Sequence, residues 1–376
     1  VNVDQARRAM IEGLIARGEL TPQWDPAFEA VPRHEFIPDT VYRFVPDSDG
    51  PDLLPLRRAD DPAAWLEIAY ANAPVNTQVD DGHPDEQGRG RELTSSASQP
   101  AVVAEMLTAL RVEPGMRVLE IGTGTGWNAA LLGYRLGPDK VTSVEVDPAV
   151  AEHARGRLAG QGLGEVVVVT ADGADGWPPE APYDRVIATV AARQVPPAWV
   201  AQTRSGGEIL VPWGSRWYPA SLLRIIVGDG NIGVGQIIGS ASFMALRSQR
   251  VSRWAAAELV GSGDIVTTTT ELHPWHIAAE PAAATAIGFR VPDCQQNFVD
   301  GDEKRSGRLN MVDQVSGSWA RLTLVDEPPY RVEQAGPRKL FDEVEAAHRW
   351  WVDRGRPGVE EWRVTVDWNG QRIELA

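Results

Sequence analysis

The chain has 376 residues, 43% of them hydrophobic and 23% charged, enough apolar content for one large domain or two modest ones. A formal net charge of −16 argues against nucleic acid as a partner, because phosphate contacts need clustered Lys and Arg. The single cysteine, Cys294, excludes an intrachain disulfide. With no basic-then-apolar leader and no apolar run of transmembrane length, it leads us to expect a cytoplasmic protein without membrane contact.

Residues 1–30 read as a helical start, with Ala6, Met10, Leu14 and Ile15 at helical spacing. Residues 39–92 are rich in Asp, Pro and Gly, with a helix-like patch from Trp65 to Tyr70, and read as a lid-like excursion or a solvated acidic loop. From 93 to 239 apolar strand runs alternate with helix patterns, which predicts a parallel sheet with helices on both faces. The predicted strands are Arg117–Ile121, Lys140–Glu145, Val166–Thr170, Arg185–Thr189 and Glu208–Val211. Ser221–Val227 and Gly235–Ser240 flank Gly228-Asp-Gly230 and predict a hairpin. The remainder, 251–376, has scattered Trp, Pro and Gly and a predicted helix over Pro337–Trp351. The expected organisation is an N-terminal helical and loop region (1–92), a Rossmann-like α/β domain (93–250) and an α+β C-terminal extension (251–376).

One stretch carries the first chemical signal. Val118, Leu119 and Ile121 end a strand, Gly122, Gly124 and Gly126 follow, and a helix begins near Asn128. Glycines there let the backbone turn sharply and approach a ligand closely, though dinucleotide enzymes and plain tight turns share the pattern. Glu145 ends the next strand about 20 residues on, where an acid can accept from both ribose hydroxyls. Val146 follows it. Asp172-Gly173 follows a third strand; the acid can accept from an adenine amine, or the pair can simply form a turn.

Taken in order, these residues resemble the class I S-adenosylmethionine methyltransferases, and most closely the protein-L-isoaspartate O-methyltransferase family. The resemblance rests on Val31-Pro-Arg-His-Glu-Phe-Ile-Pro38, Ser98-Gln-Pro100, Glu120-Ile-Gly-Thr-Gly-Thr-Gly126, Asp172-Gly173 and Ala181-Pro-Tyr-Asp184, and covers roughly residues 1–240. It implies S-adenosylmethionine as cofactor and S-adenosylhomocysteine as product. Glu120, Gly122, Thr123, Gly124, Gly126, Glu145, Val146, Asp172 and Gly173 would hold the cofactor. A nicotinamide enzyme becomes a distant alternative. The excursion at 39–92, the serine-rich Thr94–Pro100 stretch and tail motifs such as Ser242-Phe-Met-Ala-Leu-Arg247 depart from a compact repair enzyme. They resemble methyltransferases that tailor ribosomally made, cyclised peptides such as graspetides and lanthipeptides. That resemblance implies a precursor or already cyclised peptide as partner, with an aspartate methylated on its way to aspartimide or isoaspartate. An isoaspartate repair enzyme with an added domain and a non-catalytic cofactor-binding protein are the competing expectations.

A carboxylate is ionised at neutral pH and attacks a sulfonium methyl without a general base, so the site need only align the atoms and exclude water. The resemblance makes Ser98 the catalytic candidate that orients the acceptor. Thr94, Ser95 and Ser96 are candidate substrate hydroxyls, or else caps for the helix starting near Ala101. Thr189, at a strand end, is a candidate lining residue. His273 and His276 lack an acid or cysteine to complete a metal pattern, so no metal is expected. Trp350-Trp351 is expected to pack the tail onto the catalytic domain.

Overall fold

The computed structural model describes residues 2–45, 53–251, 258–299 and 307–376. The helical start becomes α1 (Val3–Ala16) and α2 (Asp25–Ala30). Helix α1 buries Met10, Ile11 and Leu14, whereas Ile15 turns outward and is 46% exposed.

The described part of the acidic stretch is more ordered than a solvated loop. It folds into β1 (Thr40–Phe44), β2 (Leu53–Arg57), α3 (Pro62–Tyr70), β3 (Val75–Val79) and β4 (Leu93–Ala97), with the strands in the order β2-β1-β3-β4 and all pairs antiparallel. Val41, Leu53, Leu56, Val75, Val79 and Ala97 are its buried apolar strand positions, and Asp61 caps α3 by accepting from the Ala64 N–H. Polar residues between these apolar anchors mask the strands in the sequence, since alternation spread over five residues is a weak signal.

Helix α4 (Pro100–Leu110) leads into β5 (Val118–Ile121), α5 (Trp127–Leu136), β6 (Val141–Glu145), α6 (Pro148–Gly160), β7 (Val167–Thr170), β8 (Tyr183–Ala188), α7 (Pro197–Gln202) and β9 (Thr203–Trp213). Strands β5 to β9 pair in parallel, as the alternating pattern predicts. The predicted hairpin is β10 (Ser221–Gly228) and β11 (Ile232–Ser240). A second sheet follows in the order β12-β16-β15-β14-β13, from β12 (Val266–Thr270), β13 (Gln295–Val299), β14 (Gly307–Asp313), β15 (Ser318–Leu324) and β16 (Tyr330–Ala335). The amphipathic helix Leu340–Asp353 packs on it through Leu340, Phe341, Val344 and Ala347.

The chain then returns. Strands β17 (Trp362–Asp367) and β18 (Gly370–Leu375) add to the large sheet, whose full order is β18-β17-β11-β10-β9-β8-β5-β6-β7. The expected divisions at 92/93 and 250/251 therefore do not follow the sheets. Strand β4 crosses the first into the N-terminal sheet, and the last hairpin crosses the second into the catalytic one, where Val364 and Val366 are fully buried. Trp351 shares a core cluster with Leu119, Ile121 and Val186, and Trp350 packs against it, so the pair anchors the tail to the catalytic sheet as expected; Trp362, in the same cluster, adds to that anchor. On the other face α1, α2 and α3 share a core with α4 and α5. No described helix is long and apolar enough to cross a membrane.

Candidate active site

In the large sheet β5 connects onward to β6 on one side, while β8 connects to β9 on the other. The carboxyl ends of β5 and β8 therefore form the switch point at which open α/β sheets take their ligands. A cavity of about 400 Å³ opens there. Its walls come from three parts of the chain: the strand-end loops of the large sheet, the β3 and β4 segment of the small sheet, and residues 242–247 after β11.

The glycine loop forms the floor. Gly122, Gly124 and Gly126 all have positive φ, at 97°, 54° and 87°. A Cβ at Gly122 would stand 2.8 Å from Val190 Cγ1 and 3.0 Å from Thr189 Oγ1, so only glycine lets β5 end so close to β8. Gly126 lies outside the cavity wall; it starts α5, where a Cβ would crowd that of Ala154 at 3.2 Å. Strand β4 passes over the loop, with Ser96 O 3.5 Å from where a Cβ of Gly124 would be.

Glu145 lines the cavity with only 8% of its surface exposed. Its Oε2 accepts from the Gly124 N–H at 2.9 Å and its Oε1 from the Asp147 N–H at 3.0 Å. Two backbone donors fix the carboxylate and leave each oxygen a further lone pair. Burial raises its pKa against those two hydrogen bonds, which lower it. Val146 is beside it in the wall.

Glu120 is fully buried, and burial pushes its carboxyl up to about 7, against hydrogen bonds donated by Ser143 Oγ and Asn128 Nδ2. Thr123 Oγ1 lies 2.6 Å from the same Ser143 hydroxyl. Each oxygen of Glu120 accepts from one protein donor and none of the residue's surface is exposed, so its influence on a ligand is electrostatic. Asp172 both turns the chain and lines the cavity: Oδ1 accepts from the Ala174 N–H at 2.9 Å, while Gly173 packs on Ile121. The two readings of that pair are compatible.

Thr94, Ser95, Ser96 and Ser98 all line the cavity. None caps α4, whose first turn starts from Gln99 without a side-chain cap and whose Ala101 N–H donates to Asn72 Oδ1 instead. Thr94 Oγ1 donates to Gln78 Oε1 and accepts from the Asp81 N–H, so it is occupied, whereas Ser95 Oγ accepts from Thr77 Oγ1 and among the described residues donates its own proton to none. Among the described residues the hydroxyls of Ser96 and Ser98 have no protein partner. Thr189 donates its hydroxyl to the Ile121 and Gly122 carbonyls, which makes it a brace between β5 and β8 as well as a wall.

Sequence reasoning missed Asn76 and the segment Ser242–Arg247. The latter is held by a parallel bridge from Ala191 to Ala245 and by Leu246 packing over Gly173. Its motif is visible in the chain, yet nothing local ties it to a glycine loop more than 100 residues earlier. His273 caps a short helix by accepting from the Trp275 N–H, and among the described residues no group of His, Cys, Asp and Glu is placed to hold a metal.

Comparison with known proteins decides the family. The model of the protein-L-isoaspartate(D-aspartate) O-methyltransferase family matches residues 61–224. A protein-L-isoaspartate O-methyltransferase from Polaromonas sp. is 33% identical over 221 residues, 58% of this chain and 85% of that protein. The chain belongs to the protein-L-isoaspartate O-methyltransferase family. The Pyrococcus horikoshii member is 41% identical over 172 residues, 44% of this chain and 78% of its own length. A solved protein-L-isoaspartate O-methyltransferase structure shares the fold at a TM-score of 0.54 and 21% identity, covering 98% of this chain and 99% of that one. That likeness in fold takes in the residues beyond 250 as well as the catalytic sheet.

As a member of this family the chain is an S-adenosylmethionine-dependent carboxyl O-methyltransferase, and S-adenosylmethionine is its cofactor. The site fits that cofactor. The glycine floor is a cradle a side chain would fill, Glu145 is a fixed carboxylate with a lone pair left on each oxygen, and Asp172 adds a second carboxylate to the wall.

Proposed function

We propose that the chain methylates the free α-carboxylate of L-isoaspartyl residues in proteins or peptides. The supporting observation is the pair of uncommitted hydroxyls, Ser96 and Ser98, in the wall that overhangs the glycine loop. A carboxylate with an ordinary pKa near 4 is already a nucleophile at neutral pH, so the site needs no base. S-adenosylmethionine, when bound, supplies an electrophilic methyl group. Glu145 and Asp172 hold the cofactor, while Ser98, aided by Ser96, donates to one acceptor oxygen and leaves the other free to attack. The strand β4 and residues 242–247 exclude water from between them.

The ester is neutral and carries a far better leaving group than the carboxylate. The next backbone nitrogen then closes a five-membered succinimide with loss of methanol, a step favoured by proximity. A second reading, methylation of an aspartate side chain in a cyclised, ribosomally made peptide, draws on the hydroxyl-rich Thr94–Ser98 wall and needs the same chemistry.

Paired synthetic peptides that differ only in aspartyl or isoaspartyl linkage, each linear and cyclised, separate the readings. Mass spectrometry would follow gain of one methylene, then loss of methanol. Selective methylation of isoaspartyl peptides supports the first reading. Methylation confined to a cyclised aspartyl peptide supports the second. Methylation of none, by protein that still binds S-adenosylhomocysteine, refutes both.

A further inference from the structure

Among the residues lining the cavity Arg247 is the one cation, set against the carboxylates of Glu120, Glu145 and Asp172. Its guanidinium is not tightly committed. Asp81, in the turn between β3 and β4, is shared between two arginines of the segment after β11. Arg250 takes it side-on, Nη1 to Oδ1 at 3.0 Å and Nη2 to Oδ2 at 2.6 Å. Arg247 reaches only Oδ1, through Nη1 at 3.0 Å. Arg247, the member of the pair in the cavity wall, holds Asp81 by a single contact and keeps most of its five N–H donors for another acceptor.

The arrangement is built rather than incidental. Asp81 stands at φ 52°, a conformation a side chain rarely adopts, and its N–H donates to Thr94 Oγ1. Asp80, at φ 49°, accepts from the Arg91 and Glu92 N–H groups and stitches the turn to the start of β4. On the other side Leu246 is buried against Gly173, so the next residue cannot drift from the cavity. The Arg250 hydrogen bond and the two positive charges hold Asp81 below the usual carboxylate range, which keeps it ionised.

We propose that Arg247 is the carboxylate-recognising group of this site, held ready by Asp81 and Arg250 and turned toward an anionic ligand when one enters. Two carboxylates come to such a site under the methyltransferase reading, on which this inference rests: the amino-acid end of the cofactor and that of the acceptor peptide. A guanidinium matches either with two parallel hydrogen bonds, which a lysine in its place does not reproduce.

Titration calorimetry tests this on the full chain with Arg247→Gln, Arg247→Lys and Asp81→Asn, folding being checked by thermal unfolding. The ligands are S-adenosylhomocysteine and 5′-methylthioadenosine, which lacks the carboxylate; peptide KM is measured alongside. Recognition of the cofactor end predicts that Arg247→Gln weakens S-adenosylhomocysteine roughly ten- to a hundredfold and leaves methylthioadenosine unchanged. Recognition of the acceptor predicts unchanged binding of both ligands and a peptide KM raised by a similar factor. In either case Asp81→Asn, which frees Arg247, does not weaken carboxylate binding. The proposal is overturned if Arg247→Gln changes neither, or if Asp81→Asn and Arg247→Gln weaken both ligands alike, the mark of a purely structural clasp. Failure of the wild type to bind S-adenosylhomocysteine would instead count against the methyltransferase reading itself.

Discussion

Replacing Arg33 by Met should unfold much of the protein's margin of stability. The guanidinium is completely buried between α2 and α3 and donates to the carbonyls of Ala69 at 2.6 Å, Ser98 at 2.9 Å and Ala73 at 3.2 Å, with longer contacts to Ala71 and Ala97. It also lies 5.5 Å from the Trp127 ring centre. Burial pulls its pKa down to about 9, so it is still charged at neutral pH. Methionine fills the stem's space but leaves three well-bonded carbonyls without a donor, at about 1–3 kcal/mol each. Release of the buried charge offsets several kcal/mol of that. The net loss is on the order of 3–5 kcal/mol, the usual cost of removing one partner from a buried charged set. A protein of this kind has roughly 5–15 kcal/mol in total. Arg33→Lys should fall between, because three donors on one nitrogen cannot span carbonyls from Ala69 to Ser98. Urea unfolding followed by tryptophan fluorescence gives the comparison, and kcat per folded molecule should fall as well because Ser98 loses its backbone tie. A Met variant within about 0.5 kcal/mol of wild type, the usual range for an unremarkable surface change, would refute the reasoning.

Glu145→Gln should weaken S-adenosylhomocysteine binding by roughly ten- to a hundredfold, since an amide NH2 cannot accept from both the backbone donors and the ribose; equal calorimetric affinities would remove the assignment. Glu120, raised to about 7 by burial, binds its proton more tightly in the folded than in the unfolded state. Its contribution to stability is therefore complete below about pH 4.5 and lost as pH rises through about 7. A cationic sulfonium nearby should lower that pKa, so S-adenosylmethionine binding releases a proton below about pH 7, and affinity rises with pH up to there. Calorimetry in buffers of different ionisation enthalpy measures the proton, and Glu120→Gln should abolish it. Trp351→Ala should cost about 3–5 kcal/mol in urea unfolding, because the ring is 2% exposed and its Nε1 donates to Pro357 O.

The catalytic sheet was readable because each of its parts is local. The strand Val118–Ile121, its glycine turn and the helix Trp127–Leu136 are contiguous in the chain, and Glu145 ends, and Asp172 closely follows, short valine-containing strands. The small sheet was not readable. Val75-Asn-Thr-Gln-Val79 has only its two end residues buried, and its pairing with Leu93–Ala97 bridges a turn of acidic residues that reads as solvated chain. The serines before α4 suggested caps because Ser and Thr commonly stand there, but the Ala101 N–H finds Asn72 from 29 residues upstream. Arg33 was visible only as part of a motif. Its role depends on carbonyls brought together from two segments, 69–73 and 97–98, which no periodicity reports.

The position of β17 beside β11 has a consequence for how such a chain can vary. Gln236 pairs with Arg363 and Gly233 with Val366, so the two strands lie as a hairpin would, although some 120 residues separate them. To the catalytic sheet, everything from Ala241 to Glu361 is one very long hairpin connection. The first few of those residues complete the active site, and the five-stranded sheet that follows is a cartridge carried between fixed ends. Loop closure cost grows only slowly with length, so that cartridge can be enlarged, trimmed or exchanged for another without rewriting the strands that flank it. A module exchanged for the five-stranded sheet should therefore preserve cofactor binding only where it keeps Ala283, Ala286 and Trp351, which complete the core of the catalytic sheet.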